Sequence, residues 1–291
     1  MIKQKYSPRP LIEILVATLF WGFGFVATVW ALQELNTFQI IFYRFSGAFL
    51  LGAIFIRTSL AQFKIEFRNG LISGLLLGLT MYFQTEGLLH TTATKSGFIT
   101  TLYVIIVPTL SNLFLKTKLD KRHWIYVVVA LIGTGLIMEI KFSDLNQGDI
   151  LTLICAFCAS LHIIYVGMVS GKTVNSFNFN LYQSFWIAVI SFFFLKIHAL
   201  PNLSTKPLIG MLSVTIGSTL IGFYLQVKAQ KNISPSLASL LFLLESPFSC
   251  VFALIFLSEK VSIVQIAGAA LILFACAKAS LLESEPLKVH I

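Results

Sequence analysis

Charge is scarce in this sequence. Only 11% of its 291 residues are Asp, Glu, Lys or Arg, where a water-facing domain carries roughly a quarter, so a soluble globule is excluded. Cysteine is also sparse. Its four copies, Cys155, Cys158, Cys250 and Cys276, all fall in apolar runs. The single C-x-x-C has no second pair and no His pair at zinc spacing, so these read as ordinary buried thiols, and no metal and no cofactor is expected. No G-x-x-x-x-G-K-S/T stretch occurs, which argues against ATP-driven work by this chain alone. Asp149 is the one aspartate touching an apolar run, at its start. An aspartyl intramembrane protease needs two, so an intramembrane enzyme stands only as an alternative reading, beside a non-transport receptor or scaffold. Lys3, Lys5 and Arg9 precede an apolar run too long for a signal-peptide core, so no cleaved leader is expected.

What is present is apolar surface in long blocks. The hydrophobic share is 57% and the mean hydropathy +0.86. A bilayer core of about 30 Å takes roughly 20 helical residues to cross, and only helices or closed barrels satisfy their backbone there. The runs predict ten spans: 12–32, 38–56, 70–89, 96–115, 124–140, 149–169, 179–195, 207–227, 237–257 and 263–282. Of the 21 Lys and Arg, 15 fall at the ends sharing a side with the N-terminus, 5 fall on the other side, and Arg44 lies within a span. That bias places both termini in the cytoplasm of a multi-pass protein of the cell (inner) membrane. The net charge of +9 is thus membrane topology, with Lys116, Lys118, Lys121 and Arg122 at lipid headgroups, and no nucleic acid is implied.

The chain repeats itself in order. Tyr82-Phe-Gln84 is echoed by Tyr224-Leu-Gln226, Thr92-Ala-Thr by Ser234-Pro-Ser, mid-span Pro108 by Pro247, and Gly133-Thr-Gly-Leu-Ile137 by Gly268-Ala-Ala-Leu-Ile272. Repeat one covers 12–140 and repeat two 149–282, with five spans in each. An odd count makes the second copy enter the membrane from the opposite side. The fold class is therefore all-α integral membrane, two inverted five-helix repeats, an architecture of secondary transporters with the site near the midplane.

Several segments also resemble the drug/metabolite transporter superfamily, specifically proteins with two EamA-type repeats. They are Phe20-Trp-Gly22, Tyr43-Arg-Phe45, Ala93-Thr-Lys-Ser-Gly-Phe98, Gln226-Val-Lys-Ala-Gln230, Ser234-Pro-Ser-Leu-Ala238, Leu244-Glu-Ser-Pro247 and Ser258-Glu-Lys260. The resemblance implies ten helices and export or uptake of small organic solutes, amino acids among them.

Ionisable groups deep in a bilayer are costly and so are functional candidates. Arg44 and Glu86 lie at similar outer depths and read either as a structural ion pair or as a gate. Glu245, two residues before Pro247, can hold a proton or a cationic group beside loosened backbone; aligning the prolines gives it apolar Ile106 as counterpart. His162, with Tyr165 a turn on, is a packing residue or a relay. Trp21, Tyr82, Gln84, Thr100, Tyr103, Gln183, Trp186, Tyr224 and Gln226 are the polar-aromatic residues from which a pocket could be built, while Pro108 and Pro247 are expected to break their helices. Glycines at Gly22, Gly24, Gly74 and Gly78 allow close helix approach. The expected partners are a small-molecule substrate, membrane lipid and, where transport is coupled, protons; monomer and homodimer both stay open.

Overall fold

The computed structural model describes residues 8–91, 93–115, 121–138, 146–171, 175–195, 202–256 and 262–284. Among these the chain is helical throughout, with no strand. Lys116, Lys118 and the Ser258-Glu-Lys260 segment lie outside the described residues. The first half comprises α1 (Arg9–Ala31), α2 (Thr37–Ala53), α3 (Leu60–Leu88), α4 (Ala93–Thr101), α5 (Tyr103–Leu115) and α6 (Lys121–Met138). The second comprises α7 (Gln147–Ser170), α8 (Ser176–Phe192), α9 (Thr205–Leu212), a π-helical stretch (Ser213–Gly222), α10 (Phe223–Ala229), α11 (Pro235–Phe242), α12 (Glu245–Phe256) and α13 (Ile263–Ser284).

Polar side chains start these helices where they would leave lipid. Asn36 with Gln39, Ser59 with Gln62, and Asn146 with Asp149 form reciprocal capping boxes at α2, α3 and α7, each satisfying orphan backbone donors. In the loop after α1, Glu34 accepts from the Ser204 amide and hydroxyl at 2.9 and 2.6 Å. Those bonds hold its carboxyl below the ordinary range.

Among the described residues, six helical runs are long and apolar enough to cross a membrane: 9–31, 96–113, 147–170, 205–229, 235–256 and 263–282. Ten were expected. The expected spans not among them fall on α2 and α8, which have 17 residues each, on α3, which opens on Lys64, Glu66 and Arg68, and on α6, whose described residues end at Met138. Their polar residues also face inward. Ser73 of α3 and Asn180, Gln183 and Ser184 of α8 are fully buried, while Leu50, Ile54, Phe193 and Ile263 are 68–80% exposed. Such an inside-polar, outside-apolar arrangement suits a lipid solvent.

α6 packs on α13, α2 on α8, α3 on α7 and α8, and the α9–α10 run on α1 and α2. Glycines set the closest crossings. A Cβ on Gly74 would meet the Gln183 carbonyl oxygen at 2.8 Å, whereas Gly78 has only ordinary contacts with Ile187. A Cβ on Gly133 would lie 2.6 Å from the Gly268 carbonyl oxygen, and one on Gly268 would strike the Gly133 carbonyl in return. The two glycines that match between the halves therefore touch each other.

Pro108 and Pro247 do not themselves mark the breaks. Pro108 lies inside α5, and the interruptions fall upstream, at Leu102 and at Leu243–Leu244. There the backbone tightens to three-residue turns, with Leu102 N donating to Ile99 O at 3.1 Å and Leu244 N to Leu241 O at 3.1 Å. Proline removes the donor to the carbonyl four residues back. For Pro247 that carbonyl is Leu243, which accepts from Ser246 N at 3.0 Å instead.

Candidate functional site

The two breaks face one hollow. Thr100 and Tyr103 flank the first, Phe242 and Glu245 flank the second, and all four line a cavity of about 100 Å³, room for several waters or part of a small solute. α5 begins at Tyr103 and α12 at Glu245, so alignment by break makes these two residues counterparts and replaces the Ile106 pairing. Their side chains interact. Yet the Tyr103 hydroxyl and the Thr100 hydroxyl, both buried, make no hydrogen bond of normal geometry within the protein. Tyr103 has Glu245 as its polar neighbour and Thr100 has Cys155.

Both halves build the walls. Trp21, Gly24, Phe25 and Thr28 come from α1; Leu77, Thr80, Met81, Gln84 and Leu88 come from α3. Opposite them stand Ala159, His162 and Ile163 of α7, then Ser218, Phe223 and Gln226. Lining residues extend to Thr28 and Leu88, near the ends of α1 and α3, so the hollow leads toward that end of the bundle. Polar bonds cluster toward the other end. Gln226 Nε2 donates to Gln230 Oε1 at 3.0 Å, Gln230 Nε2 to Ile163 O at 2.9 Å, and Ser170 Oγ to Gln230 O at 3.0 Å. Beyond them Lys228 Nζ meets Glu13 Oε1 at 2.9 Å, joining α10 to α1.

A buried polar chain runs behind the wall. His162 Nε2 lies 3.3 Å from Gln183 Oε1, which also accepts from Ser73 Oγ at 2.7 Å. Gln183 Nε2 donates to Asn180 Oδ1 at 2.8 Å, and Asn180 Nδ2 donates to Thr219 O and Leu220 O at 3.2 Å. Those carbonyls belong to the π-helical stretch. Its neighbour Ser218 O accepts from Trp21 Nε1 at 3.1 Å. Single-turn π segments tend to mark functional sites; here one spans 10 residues and supplies carbonyls to side chains of α1 and α8. His162 is thus a hydrogen-bonded member of this chain as well as a lining residue.

Of the residues singled out in the sequence, Trp21, Arg44, Gln84, Thr100, Tyr103, His162, Gln226 and Glu245 meet at the cavity. Tyr82, Tyr165, Tyr224 and Glu86 do not. Tyr82 stacks on Phe38 at 5.2 Å, Tyr165 reaches Asn69, and Tyr224 packs on Phe177 beneath Lys228. Trp186 is tied to Phe67 O at 3.1 Å. Arg44 and Glu86 are not paired: Glu86 Oε2 accepts from Thr37 at 2.7 Å, while Arg44 Nε donates to Thr219 Oγ1. Their side chains leave α2 and α3 toward different neighbours. Sequence reasoning missed Thr28, Thr80, Ser218, Phe223 and Phe242. Only Phe242 carried a signal, standing three residues before Glu245.

The comparisons with known proteins bear on this geometry. The model of the EamA-like transporter family matches twice, at residues 9–139 and 146–281. The chain belongs to the EamA-like transporter family. An uncharacterized transporter of Archaeoglobus fulgidus is 32% identical over 278 residues, 94% of this chain and 85% of that protein. One of Methanothermobacter thermautotrophicus is 27% identical over 280 residues, 87% and 81% of the two chains. A solved crystal structure of a protein 16% identical superposes with a TM-score of 0.75, covering 95% of this chain and 99% of that one, a likeness of fold. This EamA-family chain, within the drug/metabolite transporter superfamily, is accordingly a multi-pass membrane transporter and not an enzyme, with a small-molecule substrate and a lipid surround.

Proposed function

We propose that this EamA-family chain is a secondary transporter that exports a small organic metabolite, an amino acid or a related solute, by alternating access. Ten membrane-crossing helices form two inverted five-helix repeats, 12–140 and 149–282, with both termini in the cytoplasm of the cell (inner) membrane. The supporting observation is the cavity itself: one hollow lined from both halves, at the level where a helix in each half is interrupted. Exchange of partners between halves supports the inversion, since α3 packs on α7 and α8 just as the α9–α10 run packs on α1 and α2. The mutual contact of Gly133 and Gly268 fits a pseudo-two-fold axis between α6 and α13. With the basic bias setting orientation, the Thr28–Leu88 mouth faces outward and the Glu13–Lys228 end faces the cytoplasm.

Among the described lining residues Glu245 is the only carboxylate, which makes it the proton carrier of this reading. The test is flux of radiolabelled amino acids through the purified protein in proteoliposomes, with and without a pH gradient. Saturable counterflow that responds to the gradient is expected. Leakage equal to protein-free vesicles for every amino acid would overturn the proposal.

A further inference from the structure

Arg44 is left with unused binding capacity. The side chain is only 8% exposed, and α2 carries it into the cavity wall seven residues from Thr37, roughly 10 Å along the helix. Nε donates to Thr219 Oγ1, and the guanidinium carbon lies 5.4 Å and 5.8 Å from the Phe45 and Phe223 ring centres. Among the described residues, the two terminal nitrogens have no protein acceptor and no carboxylate comes within ion-pair distance. The one lining carboxylate, Glu245, interacts with Tyr103 instead.

A buried cation without a counter-ion is expensive unless it is wetted or meets an anion. The face left open on this guanidinium is the planar fork that matches a carboxylate with two parallel hydrogen bonds. Thr219 fixes the inner edge, so the fork has a set direction. We propose that Arg44 is an anion-binding arm of the cavity, and that the solute carries a single carboxylate which docks on its fork; this rests on the transport reading above. A phosphate dianion fits less well. Among the described lining residues Arg44 is the only Lys or Arg, His162 spends its Nε2 on Gln183, and Glu245 adds negative charge to the same small space.

Binding to the purified full chain tests this, using matched aromatic probes for the Trp21, Phe223 and Phe242 walls: phenylalanine, phenylalaninamide, 3-phenylpropionate and phenyl phosphate. Affinity is read by titration and by ligand-dependent thermal stabilisation. A charge-assisted pair contributes about 1.5–3 kcal/mol, which is roughly 10–100-fold in affinity. Wild type should therefore prefer phenylalanine over its amide by at least about tenfold, and Arg44→Gln should erase that preference. Arg44→Lys keeps the charge and loses the fork, so a smaller preference should persist; it carries the test alone should the Gln variant fail to fold. No binding of either carboxylate, an unchanged preference in both variants, or tighter binding of phenyl phosphate would overturn the proposal. Proteoliposome flux separates it from the transport reading. An Arg44-dependent preference without flux sinks transport and leaves the arm, whereas equal flux of acid and amide sinks the arm and leaves transport.

Discussion

Glu245 and Arg44 stood out in the sequence because a lone charge inside an apolar run is visible without any alignment, and both line the cavity. Their partners were not legible. Which neighbour a side chain meets depends on helix rotation and crossing, and apolar runs this uniform carry little periodicity to fix either. So Glu86, expected beside Arg44, bonds to Thr37, and Thr219, unremarkable as one threonine among many, holds Arg44. The twin glutamines Gln84 and Gln226 reach the cavity while the twin tyrosines beside them, Tyr82 and Tyr224, turn away. A two-residue shift moves a side chain by more than half a helical turn. Replacing the carboxylate by its neutral isostere tests the proton role at this scale. Glu245→Gln should express and bind solute, yet transport at the same rate with and without a pH gradient; gradient dependence equal to wild type would exclude Glu245 as the carrier.

Helices show the same division between what composition reveals and what packing decides. Long apolar runs and the mid-span prolines were readable. The breaks themselves sit one to two turns upstream of the prolines, because three-residue turns at Leu102 and at Leu243–Leu244 absorb the change of direction. The π-helical stretch left no mark, since Ser213–Gly222 contains no proline and its wider turn depends on donors from Trp21 and Asn180, distant in sequence. Glycine repeats, by contrast, were legible as close crossings, and the α6–α13 contact makes them quantitative. Gly268→Ala pushes a methyl onto the Gly133 carbonyl and should cost about 1–3 kcal/mol by overpacking, lowering the melting temperature in detergent. Gly171→Ala, with nothing within 4 Å, should leave it unchanged. Equal melting temperatures for the two variants would show that the helices separate there freely.

At the scale of the whole molecule, charge distribution and the ordered repeat pointed to mirrored halves, and the proposed alternating access would give such a symmetry a use. One end is held by the Glu13–Lys228 pair, which joins the two halves, while the Gln226–Gln230–Ile163 bonds beside it tie α10 to α7 within the second half. At the other end, beyond Thr28 and Leu88, the halves are joined instead by Thr91 to Asp149 and by Ser204 to Glu34. Alternating access requires that these two ends exchange states. In a variant with Cys155, Cys158, Cys250 and Cys276 replaced, Thr28→Cys and Gln230→Cys should react with a membrane-impermeant maleimide added from the outer and the cytoplasmic face respectively. The account predicts reciprocal labelling: conditions that raise reactivity at Gln230→Cys lower it at Thr28→Cys. Simultaneous labelling of both sites, or a labelling of each that never changes, would contradict it.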